Sequence, residues 1–146
     1  MKDVNRFLSL GTYAIVGVSR DPKKFGQVMF RDLRKKGMDV VPVNPAAGTI
    51  DGVKCYNSVS DLPSDIRGLI FMTPKEETLT VAKEAIAHGI KDLWIQQGAE
   101  SKETIAALEK EDVNLIHHQC IMMFWKADGI HSFHRFLKKI FGGLPA

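Results

Sequence analysis

The sequence contains few cysteines and no long uninterrupted apolar stretch. Its 146 residues include only Cys55 and Cys120, which have no Cys-x-x-Cys spacing. A disulfide framework is therefore excluded, and a reducing compartment is expected. No apolar run approaches the roughly 18 residues that a membrane-spanning helix requires. The polar start MKDVNR leads to no signal-peptide cleavage pattern, so we expect a soluble, cytoplasmic protein.

Length and composition favour one domain. The chain is 45% hydrophobic and 25% charged, which is typical of a protein with a sizeable core. We expect a single domain over residues 1–146, in which residues 124–146 form a C-terminal amphipathic helical extension. Its helix is predicted over residues 129–141, with apolar side chains on one side and basic ones on the other.

The net charge of +3 is unevenly distributed. Residues 20–36 hold seven basic and two acidic side chains, and residues 126–146 hold four basic and one acidic. The remainder of the chain is acidic overall. This mild excess, without a series of stacking aromatics, argues against a nucleic-acid partner.

Short apolar runs alternate with segments of helical periodicity. The runs cover residues 13–18, 40–43, 69–72, 93–95 and 113–116, and none shows the polar alternation of a half-exposed strand. This pattern predicts an α/β fold with a Rossmann-like, doubly wound parallel sheet of five strands. The expected strand order is 3-2-1-4-5, in three αβα layers.

Local signals predict where the helices begin and which faces they bury. A stripe of Phe25, Val28, Met29 and Leu33 follows the first strand. The sequence Thr73-Pro74-Lys75-Glu76 matches a capping box, with the threonine as the N-cap. Ser101 is expected to cap the following helix.

A glycine-containing loop joins the first strand to the first long helix. The loop sequence is GVSRDPKKFG, over residues 17–26. Glycines, helix-start amides and nearby cations together favour phosphate binding. The loop lacks the glycines of a GxGxxG fingerprint, and the chain has no GxxxxGK[ST] motif.

The end of the second strand narrows the choice of nucleotide. An NAD site places a carboxylate there to bind the ribose hydroxyls, whereas this strand ends in Val43-Asn44-Pro45. A neutral end tolerates a phosphorylated ribose, since a carboxylate would repel the phosphate. Coenzyme A (CoA) and NADP both carry such a phosphate, so both stay open at this point.

Successive motifs from about residue 10 to residue 123 resemble a known family. They are GVSRDPKKFGQVMFRDLRKKGMDVVPVNP, IDGVKCYNSVSDLP, IFMTP, EAIAHGIKDLWIQQGA and LIHHQCIMM. Together they resemble the small stand-alone CoA-binding proteins of bacteria and archaea. That family is similar to the CoA-binding domain of the succinyl-CoA synthetase alpha subunit.

The resemblance implies a set of contacts to CoA along the strand ends. The first loop would surround the pyrophosphate, the second strand end would lie by the adenosine, and the third would line the adenine side. The fourth strand end would flank the pantetheine arm, and the cysteine after the fifth would lie toward the thiol. The implied residues are, in that order, Gly17, Ser19, Arg20, Lys23, Phe25 and Gly26; Val43, Asn44 and Pro45; Met72, Thr73 and Pro74; Gln97 and Gly98; and Cys120.

The sequence offers no catalytic or metal-binding constellation. Neither a Ser-His-Asp order nor HExxH is present, and 146 residues leave no room for the synthetase's second alpha-subunit domain. We therefore expect binding of CoA or an acyl-CoA without ligation, as in a sensor or regulatory module. Cys120 has two interpretations, core packing or a mixed disulfide with CoA.

Two alternatives remain open. One is an NADP-type oxidoreductase, which the missing glycine fingerprint and the absence of a substrate domain disfavour. The other is a protein-interaction module that acts through the basic C-terminal helix. The adjacent Phe124 and Trp125 are compatible with a homodimer.

Overall fold

The computed structural model describes residues 3–125, and the helix predicted for residues 129–141 lies outside them. The strands are β1 (Tyr13–Val16), β2 (Val40–Val43), β3 (Thr49–Ile50), β4 (Val53–Lys54), β5 (Gly68–Phe71), β6 (Asp92–Gln96) and β7 (Asn114–Gln119). The helices are α1 (Val4–Leu8), α2 (Phe25–Lys35), α3 (Lys75–Ala87) and α4 (Lys102–Leu108), and Val59–Asp61 and Ile121–Met123 form 3₁₀ turns. No helix within residues 3–125 has the length and apolar character needed to cross a membrane.

The main sheet confirms the predicted fold class. Its five strands are all parallel and lie in the order β2-β1-β5-β6-β7, while β3 and β4 form a separate antiparallel hairpin. Buried side chains of α1 and α2 pack on one face of the sheet, and those of α3 and α4 pack on the other. The architecture is therefore a three-layer αβα sandwich.

The predicted order of the strands is wrong in one respect. Counted within the main sheet, the order is 2-1-3-4-5 instead of 3-2-1-4-5, because β5 pairs with β1 and does not lie outside β2. The place outside β2 is taken by Tyr56, whose amide donates to Pro42 O at 3.0 Å and whose carbonyl accepts from Asn44 N at 2.9 Å. Pro42 has no N–H to offer a further strand, as is typical of an edge strand.

Two helix predictions also need correction. Val28 is 38% exposed, and Phe30 lies in the core in its place, since the buried face of α2 follows Gly26, Met29, Phe30 and Leu33. Residues 28–30 are all apolar (Val-Met-Phe), so the sequence did not show whether Val28 or Phe30 shares the buried face with Met29.

The capping box predicted at the start of α3 does not form. Pro74 is at the N-cap position without a side-chain cap, and the Thr73 hydroxyl instead contacts the Thr78 hydroxyl at 2.6 Å. The cap predicted for α4 is confirmed, with Ser101 Oγ accepting from Thr104 N at 3.1 Å.

The aromatic pair at the end of the described chain packs onto its own core. The Trp125 ring lies edge-on to Tyr13 at 5.9 Å, and its indole N–H donates to Lys36 O at 3.2 Å. The Phe124 ring lies edge-on to Trp94 at 5.5 Å. Both rings are half-buried against their own chain, and a homodimer stays a prediction.

Helix α1 closes the amino-terminal edge of the sheet. Arg6 Nε and Nη2 donate to the buried Asp92 carboxylate at 2.9 and 3.2 Å, and a bidentate pair of this kind fixes orientation. The Phe7 ring packs beside Tyr13 and Trp94, with centroid distances of 5.4 and 5.3 Å. Gly68 lies directly beneath this aromatic cluster.

We expect Gly68→Ala to lower the free energy of unfolding by about 2 kcal/mol, because the added methyl overpacks the cluster. A Cβ at this position would lie 2.8 Å from Tyr13 Cδ1 and 3.1 Å from Phe7 Cζ. Gly48→Ala is the matched control, since nothing lies within 4 Å of its Cβ. Urea unfolding of both variants checks this, and equal stabilities would contradict it.

Candidate functional site

The candidate site lies at the carboxyl edge of the sheet, between β1 and β5. The chain leaves β1 toward β2 on one side and returns to β5, from which β6 and β7 continue on the other side. Ligands of open parallel sheets bind in the crevice at such a switch point. The structure brings all the predicted positions to this edge, in the β1–α2 loop, in the first residues of α2 and after the later strands.

Gly17 is the residue at which β1 ends and the loop begins. Its φ is +92°, and a Cβ there would lie 2.7 Å from the backbone carbon and oxygen of Met72 and 2.9 Å from Thr73 N. Only glycine combines a left-handed backbone with such a close approach. The start of the loop therefore runs directly against the end of β5.

Two amide side chains hold the loop after Gly17. Asn44 Nδ2 donates to Val18 O at 2.8 Å, and Gln27 Nε2 donates to Ser19 O at 2.9 Å. Gln27 is only 6% exposed. It is absent from the predicted site because a glutamine in a first helical turn gives no sequence signal of its direction. These two clamps fix the loop from the side of β2 and from the side of α2.

The clamped carbonyls determine where the next two amides point. In a planar trans peptide the N–H points away from the preceding carbonyl, so the Ser19 and Arg20 amides point away from the two clamps. Within residues 3–125, neither amide donates to a protein acceptor. Helix α2 starts beside them, since a Cβ on Gly26 would lie 3.3 Å from Gly17 O. Free amides at the positive end of a helix favour an anion.

The side chains around these amides are cationic. Arg20, Lys23 and Lys24 are exposed, and none of them forms an ion pair within the described part of the chain. Asp21 is the acid of this loop, and its Oδ1 accepts from Lys23 N at 2.9 Å. The carboxylate is thus engaged with backbone, and the local charge stays positive.

Asn44 has a structural role at the end of β2. Besides its clamp on Val18, its Oδ1 accepts from Ala46 N at 2.8 Å. Both ends of the amide are therefore engaged within the protein. Val43 is buried and Pro45 is exposed beside it. The chain from Val43 to Ile50 contains no carboxylate, so this strand end is electrically neutral.

A buried glutamine–cysteine contact joins the ends of β6 and β7. Gln96 Nε2 donates to Cys120 Sγ at 2.8 Å, and Gln96 Oε1 accepts from Ile121 N at 3.1 Å. Cys120 is 1% exposed, and burial raises the pKa of its thiol because the thiolate would lose its hydration. A buried, protonated thiol is a poor nucleophile, which favours the packing role over a mixed disulfide.

A bulge in β7 places two histidines near the carboxyl edge of the sheet. The pairing passes from Trp94↔Ile116 to Gln96↔Gln119, which leaves an extra residue in β7. His118 has a φ of +60°, and its Nδ1 lies 2.6 Å from Nδ1 of His117. Burial and the neighbouring His118 lower the pKa of His117. Among residues 3–125, no group of three or more His, Cys, Asp or Glu side chains is placed to hold a metal ion.

Comparisons with known proteins agree on one family. Residues 11–126 match the family described as CoA binding domain. The alpha subunit of ADP-forming acetate–CoA ligase II from Pyrococcus furiosus is 30% identical over 119 residues, which are 74% of this chain and 26% of that subunit. The chain thus spans about a quarter of the length of this curated relative.

Solved structures show the same fold. A conserved hypothetical protein from Pyrococcus furiosus has a TM-score of 0.74 and 46% identity, and the match covers 77% of this chain and 97% of that one. The dinucleotide-forming acetyl-coenzyme A synthetase 1 of Ca. Korarchaeum cryptofilum, in complex with phosphate and ADP, has a TM-score of 0.67 and 27% identity. That match covers 80% of this chain and 27% of the synthetase.

We expect Gly17→Ala to lower the free energy of unfolding by about 3 kcal/mol, because it combines a left-handed backbone with a backbone clash. Gly98→Ala separates the two causes: its φ is +99°, but nothing lies within 4 Å of its Cβ. For this control we expect a loss of about 1 kcal/mol. Urea unfolding measures both, and equal losses would show that the close approach to β5 does not require glycine.

Proposed function

The chain belongs to the CoA binding domain family, and from this premise we propose that it binds coenzyme A or an acyl-CoA and does not catalyse ligation. The observation that carries the proposal is the clamped β1–α2 loop. It presents the free amides of Ser19 and Arg20 beside unpaired cations at the switch point. A pyrophosphate supplies the negative charge that such a site would stabilise.

The adenosine end of the ligand is proposed to lie by β2. The neutral strand end around Asn44 gives a ribose phosphate no carboxylate to repel it, which is consistent with the 3′-phosphate of CoA. Pro45 is exposed at this position, while Met72 is half-buried across the crevice. We assign these residues, with Val43, Thr73 and Pro74, to the adenosine side.

The pantetheine arm is proposed to extend from the loop toward β6 and β7. Neighbouring strands are about 4.8 Å apart, so the arm would cross about 14 Å from β1 to β7. The long flexible arm of CoA suits this span. Gln97 and Gly98 would flank it, and the thiol would end near Cys120, which packs in the core.

We do not extend ligation to this chain, because it spans only 26% of the ligase subunit that it resembles. Beyond binding, we propose a sensor or regulatory role. NADP is the second candidate, since the unpaired cations would also accept its ribose phosphate. The missing dinucleotide fingerprint disfavours it.

Calorimetry on ligand-stripped protein tests the proposal with CoA, dephospho-CoA, NADP and NAD. We expect CoA to bind more tightly than the other three, because only CoA provides both the pyrophosphate with its pantetheine arm and the 3′-phosphate. Tighter binding of NADP than of CoA would overturn the main assignment. Equal affinities for CoA and dephospho-CoA would remove only the argument about the 3′-phosphate.

The cations can be tested by charge removal. Replacing Arg20 and Lys23 together by alanine is expected to weaken CoA binding about tenfold at low salt, with a smaller effect at high salt. Arg34 and Lys35, which are exposed in the last turn of α2, provide the matched double-alanine control. If both double variants bind CoA alike, the loop cations do not contact the ligand.

A further inference from the structure

Two buried threonine hydroxyls join the loops that follow β5 and β6. Thr73 Oγ1 lies 2.6 Å from Thr78 Oγ1, and Thr78 Oγ1 lies 2.6 Å from Ala99 O. Thr78 is fully buried and Thr73 is 8% exposed. Thr78 lies on α3, and its hydroxyl contacts both Thr73, which precedes this helix, and Ala99, which follows β6.

The direction of these hydrogen bonds follows from their chemistry. The Ala99 carbonyl can only accept, so the Thr78 hydroxyl donates to it. A hydroxyl has one proton, and Thr78 must therefore accept from Thr73. A helical threonine commonly donates to the carbonyl four residues earlier, but that contact, with Pro74 O, is longer at 3.3 Å. The shorter contacts are the two that leave the helix.

This relay of hydrogen bonds, from Thr73 through Thr78 to Ala99, also reaches the β1–α2 loop. The backbone of Thr73 lies under Gly17, where a Cβ would be 2.9 Å from Thr73 N. At the other end, Ala99 follows Gly98 and closes a turn by donating its amide to Gln96 O at 2.9 Å. The ends of β1, β5 and β6 are thus joined through Thr73, Thr78 and Ala99.

We propose that Thr78 is a positioning residue that sets the distance between the β1–α2 loop, which would hold the pyrophosphate, and the path of the pantetheine arm. This inference rests on the proposed function, because it assigns those two halves of the crevice to the two halves of CoA. Loops that are held in register before binding lose less freedom on binding. A ligand that spans both loops benefits from this register, and a ligand that touches only one of them does not.

The test compares CoA with adenosine 3′,5′-bisphosphate, which represents its nucleotide half, by calorimetry. Thr78→Val keeps the shape of the side chain and removes the hydroxyl. We expect it to weaken CoA binding about tenfold, because both hydrogen bonds of the relay are lost and the two loops are no longer held in register. Affinity for the bisphosphate is expected to change less than about twofold. Thr78→Ser keeps the hydroxyl and should restore CoA binding, and Thr80→Val, an exposed position on α3, is the matched control.

The outcomes separate this inference from the proposed function. Failure of the unaltered protein to bind CoA would refute the proposed function. If the unaltered protein binds CoA and Thr78→Val loses affinity for both ligands equally, or for neither, then Thr78 does not set the register. Should the valine variant not fold, Thr78→Cys provides a weaker donor of similar size. A smaller selective loss of CoA affinity is expected there, and affinity equal to that of Thr78→Ser would overturn the inference.

Discussion

The close approach of Gly17 to the end of β5 is the constraint on which the rest of the crevice depends. Because no Cβ separates the two chains, the β1–α2 loop lies against the Met72–Thr73 backbone. That contact fixes the backbone position of Val18 and Ser19, and hence the carbonyl positions to which Asn44 and Gln27 donate. It also couples the loop to the buried threonines that lie beyond β5. Because Gly17 has no Cβ, the end of β1 can contact the end of β5, and this contact connects the two sides of the candidate site.

The clamps explain how a short loop can keep its charges available. Asn44 and Gln27 are neutral, and they satisfy backbone carbonyls of the loop. A side chain that holds a carbonyl must donate a hydrogen bond, so a charged clamp would be a lysine or an arginine bound to the protein's own backbone. Instead Arg20 and Lys23 extend from a backbone that amides hold in place. Structure and charge are therefore supplied by different residues.

Much of the fold could be predicted from the sequence, because buried parallel strands and amphipathic helices leave periodic patterns. The strand order could not be predicted, because periodicity identifies a strand but not the strands that pair with it. Pro42, which lacks an N–H, was the residue that indicated β2 as an edge strand. The first loop and the strand ends of the candidate site were also predictable from their motifs. The clamp by Gln27 and the relay through Thr78 were not, because each depends on the direction of a polar side chain inside the fold.

The chain segment around Tyr56 lies along β2, and the bulge at His117 and His118 lies in β7, at the opposite edge of the main sheet. At β2, hydrogen bonds with Tyr56 occupy Pro42 O and Asn44 N, and Pro42 has no amide proton to offer. At β7, the extra residue interrupts the regular ladder. Open sheet edges are templates for strand addition between molecules, and proline, covering segments and bulges oppose it. Each outer strand of this sheet thus carries its own barrier against edge-to-edge aggregation.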